Sequence, residues 1–201
     1  NEQHLITNNQ MMLCAAPSEI ERIVSLSTSG TTNSRKRVSF SKSDLEHIRS
    51  YFEAGLSSIF TPGTVLLITY SCEITNGLGN LICDACEKIG INYITCDKSQ
   101  NLEQVVSLCE SEQVTGAVGL PRHILALSHW SAYYKIPLTI KEVLLSGDFV
   151  SAMMRDEIEK SLSCEVFTHY GSTEMGFGCA VECGEHNGLH VREKDLFIEV
   201  V

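Results

Sequence analysis

The residues with the plainest chemical use are Thr28-Ser29-Gly30-Thr31-Thr32-Asn33-Ser34, small and hydroxyl side chains that run directly into the cations Arg35, Lys36 and Arg37. Gly and Ser/Thr let backbone N–H groups turn toward an anion, the hydroxyls add donors, and Lys36 supplies a point charge, so the pattern suits phosphate. It is not a Walker loop, which needs a second Gly before its Lys and Ser/Thr after it. Taken alone, the stretch fits a solvated polar turn equally well. A second group, Phe167-Thr168-His169-Tyr170-Gly171-Ser172-Thr173-Glu174-Met175-Gly176, puts hydroxyls and a carboxylate just past an apolar run. By itself it reads as a turn and a helix start. A third, Cys179, Cys183, His186 and His190, gathers thiols and imidazoles at spacings near those of a structural zinc site. The alternative there is a core Cys179 and a His190 on the outward phase of a strand. Cys83-Asp84-Ala85-Cys86 is a C-x-x-C inside a helical pattern, which favours core packing over redox chemistry. No G-x-S-x-G elbow is present, and no His has the spacing of a base, so a serine hydrolase has little support.

The elements that must position these groups alternate. Ile23-Val24-Ser25-Leu26 and Val38-Ser39-Phe40 read as strands on either side of the first loop. Ser43 with Glu46 predicts a capping box, followed by a helix with Leu45, Ile48, Phe52, Leu56 and Ile59 on one face, ended by Pro62-Gly63. Residues 64–70 form an apolar run of strand length, and Asn76-Gly77-Leu78-Gly79 leads into a helix. A dinucleotide fingerprint there fails at Ile82. Strands are predicted at 91–95, 114–119, 142–145 and 165–168, and helices at 101–110, 121–132 and 151–162. The expected fold class is α/β, a largely parallel sheet covered on both faces, with a short antiparallel β annex after residue 178 that includes a strand at 196–201. Residues 1–17 read as an extended lead-in, 18–177 as the α/β core and 178–201 as the annex. Ligands in such sheets bind beyond the carboxyl ends of the strands. Four segments should converge there: the 28–36 loop, 70–79, Ser146-Gly147-Asp148, and 169–174.

Taken together, residues 28–36 and Tyr170-Gly171-Ser172-Thr173-Glu174 resemble the two signature motifs of the adenylate-forming superfamily, T-S-G-T-T-G-x-P-K and Y-G-x-T-E, in the same order. Residues 70–79, Leu145-Ser146-Gly147-Asp148 and residues 183–191 bring the likeness nearest to the phenylacetate–coenzyme A ligase group. Asn33 and Arg35 stand where the family usually has Gly and Pro. The resemblance implies ATP-dependent activation of an aryl or short acyl carboxylic acid to an acyl-adenylate, with coenzyme A as acceptor. It also admits two other readings: an acyl-protein synthetase, or a nucleotide- or zinc-binding module without turnover. It assigns Ser29, Thr31, Thr32 and Lys36 to the β- and γ-phosphates, within the loop that Thr28 and Gly30 help to form. Thr173 goes to the α-phosphate, Glu174 to Mg²⁺, Gly147 and Asp148 to the rim of the adenine, and Tyr170 to a stack on it, with Gly171 between. Residues 70–79 would face the acyl group. In the family an Asp beyond the second motif holds the ribose, and a small C-terminal domain brings a Lys to the reacting carboxylate. Neither has a matching motif here, so the 201-residue chain is expected to bind nucleotide but to adenylate weakly by itself.

Composition narrows the partners. A net charge of −10 repels a polyanion and aromatic content is only 7%, which argues against a nucleic-acid surface. Nine cysteines, an odd number, with no charged-then-apolar leader point to free thiols and a cytoplasmic setting. No apolar run is long enough to span a bilayer. The expected partners are therefore small molecules, and the resemblance allows a homodimer.

Overall fold

The computed structural model describes residues 9–27, 35–96 and 100–199. After 3-10 turns at Asn9–Met12 and Pro17–Glu19, strands β1 (Ile20–Ser27) and β2 (Arg35–Ser41) form an antiparallel hairpin that is a sheet of its own. The remaining strands are β3 (Val65–Ile68), β4 (Asn92–Thr95), β5 (Gly116–Gly119), β6 (Glu142–Leu145), β7 (Glu165–Tyr170), β8 (Ala180–Glu182) and β9 (Leu189–Val191). They make one seven-stranded sheet in the order β4-β3-β5-β6-β7-β8-β9, parallel from β4 to β7 and antiparallel beyond. The helices are α1 (Lys42–Ile59), α2 (Leu78–Ile89), α3 (Leu102–Ser111), α4 (Pro121–Tyr134) and α5 (Ala152–Leu162).

Strand side chains alternate between two cores, as the pleat requires. Leu66, Ile68, Val118, Leu144 and Phe167 face α1 and α2, whereas Leu67, Ala117, Val143, Leu145 and Val166 face α3, α4 and α5. Burial on both faces explains why these strands are continuous apolar runs. All five residues expected on the inner face of α1 are buried. Local signals end the helices as their chemistry dictates: Gly90 adopts the left-handed conformation (φ 73°) after α2, and Asn101 caps α3 by accepting from Gln104 N at 3.0 Å. No helix among the described residues is long and apolar enough to cross a membrane.

Two expectations are corrected. The capping box of α1 is Ser41 with Asp44, two residues before the predicted Ser43 and Glu46, because β2 runs on to Ser41 and the chain leaves the extended region there. The antiparallel annex forms as β8 and β9, continuous with the edge of the main sheet, but the strand expected at 196–201 is absent over residues 196–199. Asp195 N and Leu196 N both donate to Arg192 O, which turns the chain away from the sheet. Residues 200 and 201 lie outside the described residues.

A buried carboxylate fastens this edge. Glu182, 5% exposed, accepts from the backbone N and Oγ1 of Thr168 on β7, each at 2.8 Å, and pairs with Arg155 of α5 and with His186. Burial pushes the Glu182 carboxyl up, but the hydrogen bonds from Arg155, His186 and Thr168 outweigh it and hold it at about 2. Because the folded value lies below the ordinary one, the stability from Glu182 is complete above pH 4.5 and is lost as pH falls toward 2. Glu182→Gln should cost about 3 kcal/mol at neutral pH, by leaving Arg155 without its charge partner. It should also flatten the acid limb of the stability profile over that window. Urea titrations from pH 2 to pH 7 check both; an unchanged acid limb would count against this role.

Candidate functional site

The carboxyl ends of β3, β5, β6 and β7 lie side by side, and Gly147, Asp148, Tyr170, Gly171, Thr173 and Glu174 lie at or just past two of them. Side-chain hydrogen bonds tie three of these strand ends together. Tyr70, after β3, donates its hydroxyl to the carbonyl of Ser146, after β6, at 2.7 Å. Ser146 Oγ and His169 Nδ1, on β7, share a hydrogen bond of 2.7 Å. The first bond passes over the end of β5, where a Cβ on Gly119 would sit 1.8 Å from Thr69 Oγ1. A side chain at 119 would have to displace the Thr69 side chain.

His169 is 9% exposed, and the rings of Tyr51 and Phe52 on α1 lie 5.8 and 6.0 Å from it. Burial lowers its pKa to about 4, so the imidazole is neutral at physiological pH. Burial likewise pushes the Tyr70 hydroxyl up to about 12, against the opposing hydrogen bond to Ser146. A neutral Tyr–Ser–His chain thus joins the ends of three strands without placing a buried charge there.

Beyond this chain the site opens to solvent. Gly147 takes φ +87°, a backbone region that disfavours any side chain, and Asp148 follows with its Oδ1 accepting from Phe149 N at 2.8 Å. Both Gly147 and Asp148 are exposed. On the neighbouring strand, Tyr170 presents its ring to solvent at 55% exposure. The next residues form a tight turn: Phe177 N donates to Ser172 O at 2.8 Å, a 3-10 turn spans Thr173–Met175, and Cys179 N donates back to Tyr170 O at 2.9 Å. Gly171 makes this closure feasible, because a Cβ there would lie 2.4 Å from the Phe177 carbonyl oxygen. The turn leaves Glu174 exposed and Thr173 half-buried.

The β1-β2 hairpin docks on two of these segments. Arg22 donates to Thr75 O at 2.6 Å, and Phe40 stacks on Phe177 with ring centroids 5.5 Å apart. Glu174 shares a cavity of about 340 Å³ with Val38, Ser39 and Phe40. The backbone of Lys36 pairs with Leu26 in the hairpin. Thr28, Ser29, Gly30, Thr31 and Thr32 lie outside the described residues. On the α3 and α4 side of the β3 and β5 ends, a second cavity of about 660 Å³ is bounded by Thr69, Tyr70, Leu102, Leu120, Arg122 and His123.

The expected zinc set does not assemble. Cys183 Sγ and His190 Nε2 approach to 3.2 Å, but His186 is turned to Glu165 at 2.8 Å and Glu182 at 3.0 Å, and Cys179 is fully buried. Among the described residues no three His, Cys, Asp or Glu side chains form a group able to hold a metal. The physical reason is competition: hydrogen bonds to Glu165 and Glu182 raise the His186 pKa and favour its protonated form, whereas a metal needs the neutral ring. The Ser146–His169 bond was missed in the sequence. Its one signal there is alternation, since His169 shares the inward phase of Phe167.

No protein-family model and no curated protein matches the sequence. Solved structures do match in fold. A 2-hydroxyisobutyryl-CoA ligase, solved in an open conformation with 2-HIB-AMP and CoA, superposes with a TM-score of 0.72 at 14% identity, over 88% of this chain and 39% of that one. The amide bond synthetase McbA from Marinactinospora thermotolerans gives 0.64 at 19% identity, over 85% of this chain and 33% of that one. The N-terminal domain of FACL13 from Mycobacterium tuberculosis, with inhibitor bound, gives 0.64 at 19% identity, over 81% of this chain and 39% of that one. The fold is thus one found in AMP-forming ligases. The chain spans about two fifths of the length of the first of them.

His169 provides a direct check on the site. Its ring resonances, followed by NMR, should show a neutral imidazole down to about pH 4. Titration near 6.5 would mean that the ring is solvated and the Ser146 bond is open.

Proposed function

We propose that this chain carries the nucleotide-handling part of an adenylate-forming ligase, which uses ATP to convert a carboxylic acid to an acyl-adenylate and passes the acyl group to coenzyme A. The observation that supports this most is one of placement. Gly147-Asp148 and Tyr170-Gly171 leave the ends of adjacent parallel strands, and β2, to which Lys36 belongs, lies beside the Thr173-Glu174 turn through Val38 and Phe40. The fold shared with a ligase solved with an acyl-AMP and CoA supports the same reading.

In this reading the adenine lies against the exposed Tyr170 ring, bordered by Gly147 and Asp148. Thr173 then meets the α-phosphate, and Ser29, Thr31, Thr32 and Lys36 hold the β- and γ-phosphates, with Thr28 and Gly30 shaping the loop. The acid's oxygen attacks the α-phosphorus while pyrophosphate leaves, so the protein's task is to align the two and to offset the phosphate charge. Glu174, an exposed carboxylate beside β2, fits Mg²⁺, which takes few protein carboxylates together with phosphate oxygens and would supply charge neutralisation. The 660 Å³ cavity, walled by Leu102, Val105, Leu120 and Leu127, suits an aryl or short acyl acid.

Lys36→Ala should weaken ATP by about tenfold or more while leaving AMP nearly unchanged, because only ATP carries the phosphates that Lys36 reaches. Calorimetry with both nucleotides tests this, and equal losses would remove the loop from the site. In the full-length protein, pyrophosphate release should depend on added carboxylic acid, and thioester formation on coenzyme A. Nucleotide binding without acid-dependent pyrophosphate release would overturn the ligase reading.

A further inference from the structure

Cys72 and Cys83 meet in the segment that leads from β3 to α2. Their sulfurs are 3.2 Å apart, with the Cys83 thiol donating to Cys72 and the Cys72 thiol donating in turn to the Tyr70 carbonyl at 3.4 Å. A disulfide needs about 2.05 Å, so closure asks for a movement of about 1.1 Å. Gly79 makes this approach feasible: a Cβ there would lie 2.5 Å from the Ser71 carbonyl oxygen and 3.0 Å from Cys72 Sγ. The segment therefore lies directly on α2, and the two thiols face each other across that contact.

We propose that Cys72 and Cys83 form an oxidation site in which a hydroperoxide converts the two thiols to a disulfide. The two sulfurs have different parts. Cys72 is half-exposed, which leaves it open to a small oxidant, whereas Cys83 is buried behind it. The hydrogen bond from Cys83 lowers the Cys72 pKa, with burial opposing, and the same contact together with burial raises that of Cys83. Of the two, Cys72 is therefore the sulfur that more readily gives up its proton to solvent and reacts as a thiolate, while Cys83 keeps its proton. Burial also pushes the neighbouring Cys86 thiol up to about 12 and the Cys96 thiol up to about 11, so neither competes as a nucleophile.

The chemistry balances in two steps. The Cys72 thiolate attacks one peroxide oxygen; the S–O bond forms, the O–O bond breaks, and the departing alkoxide or hydroxide takes a proton from solvent. Cys72 is now a sulfenic acid, oxidised by two electrons, and the peroxide is reduced. The Cys83 sulfur then attacks Cys72; the S–S bond forms, the S–OH bond breaks, and the hydroxyl leaves with the Cys83 proton as water. Two thiols and one hydroperoxide give one disulfide, one alcohol or water, and one further water. A thiol reductant reverses the result. The new bond would fasten the β3 exit to α2 two residues beyond Tyr70, whose hydroxyl holds Ser146.

The test uses the reduced 201-residue chain, freed of reductant, treated with hydrogen peroxide and then alkylated. Cleavage after Glu73 and Asp84 puts Cys72, Cys83 and Cys86 on separate peptides. The expected product is a Cys72–Cys83 linkage, removed by dithiothreitol, while the exposed Cys14 is modified without joining that pair. In Cys83→Ser, dimedone should trap a sulfenic acid on Cys72; in Cys72→Ser, Cys83 should carry no adduct and form no linkage. The proposal is overturned if Cys72 and Cys83 both remain alkylatable after Cys14 is oxidised, if either pairs with another cysteine instead, or if the dimedone adduct falls on Cys83 in Cys72→Ser.

Discussion

A sheet buried on both faces admits polar groups only at its ends, and the carboxyl end here is organised by the hydrogen-bonded chain of Tyr70, Ser146 and His169. Each member comes from a different strand exit, so the chain fixes the spacing of three loops that the sheet alone would leave free. Its members stay neutral because burial disfavours their charged forms. A charge at position 169 would lie against the rings of Tyr51 and Phe52, which offer it no opposite charge. The exposed groups beside it, Gly147, Asp148 and Tyr170, can then meet a polar ligand from a rigid base.

The second organising feature is the charged one at the other side of β7. Glu182 joins β8 to β7 through Thr168 and to α5 through Arg155. The strand carrying Tyr170 is therefore held from two directions, by neutral hydrogen bonds toward β6 and by a buried carboxylate toward β8. The ordering of Tyr170-Gly171-Ser172-Thr173-Glu174 depends on both, since the turn closes back on Tyr170 through Cys179 N.

Much of this architecture was legible because it is written locally. The alternation of apolar runs with amphipathic segments predicted every helix of the parallel core, Pro121 opens α4, and Gly90 and Asn101 act as the punctuation their chemistry suggests. What escaped is long-range. Ser146 and His169 are 23 residues apart, and neither residue type announces the bond. The zinc expectation rested on spacing, but spacing does not encode that His186, at φ +49°, turns toward Glu182 and Glu165. The α1 cap moved because Ser41-Lys42-Ser43-Asp44 offers the same chemistry two residues earlier, where β2 ends.

The β1-β2 hairpin is a ribbon of two strands, and among the described residues no third strand shares its hydrogen bonds. Such ribbons are marginal in water by themselves, and their opening free energy is set by whatever they lean on. Here that is the Arg22 bond to Thr75, the Phe40 stack on Phe177, and apolar contact of Val24 and Val38 with the larger core. The ribbon's stability is consequently borrowed from the body of the protein, and weakening those contacts would release its amides before those of the seven-stranded sheet. Anything bridging the ribbon and the turn after β7 would bind only the docked form and, by mass action, raise the protection of the ribbon's amides without tightening those of the sheet.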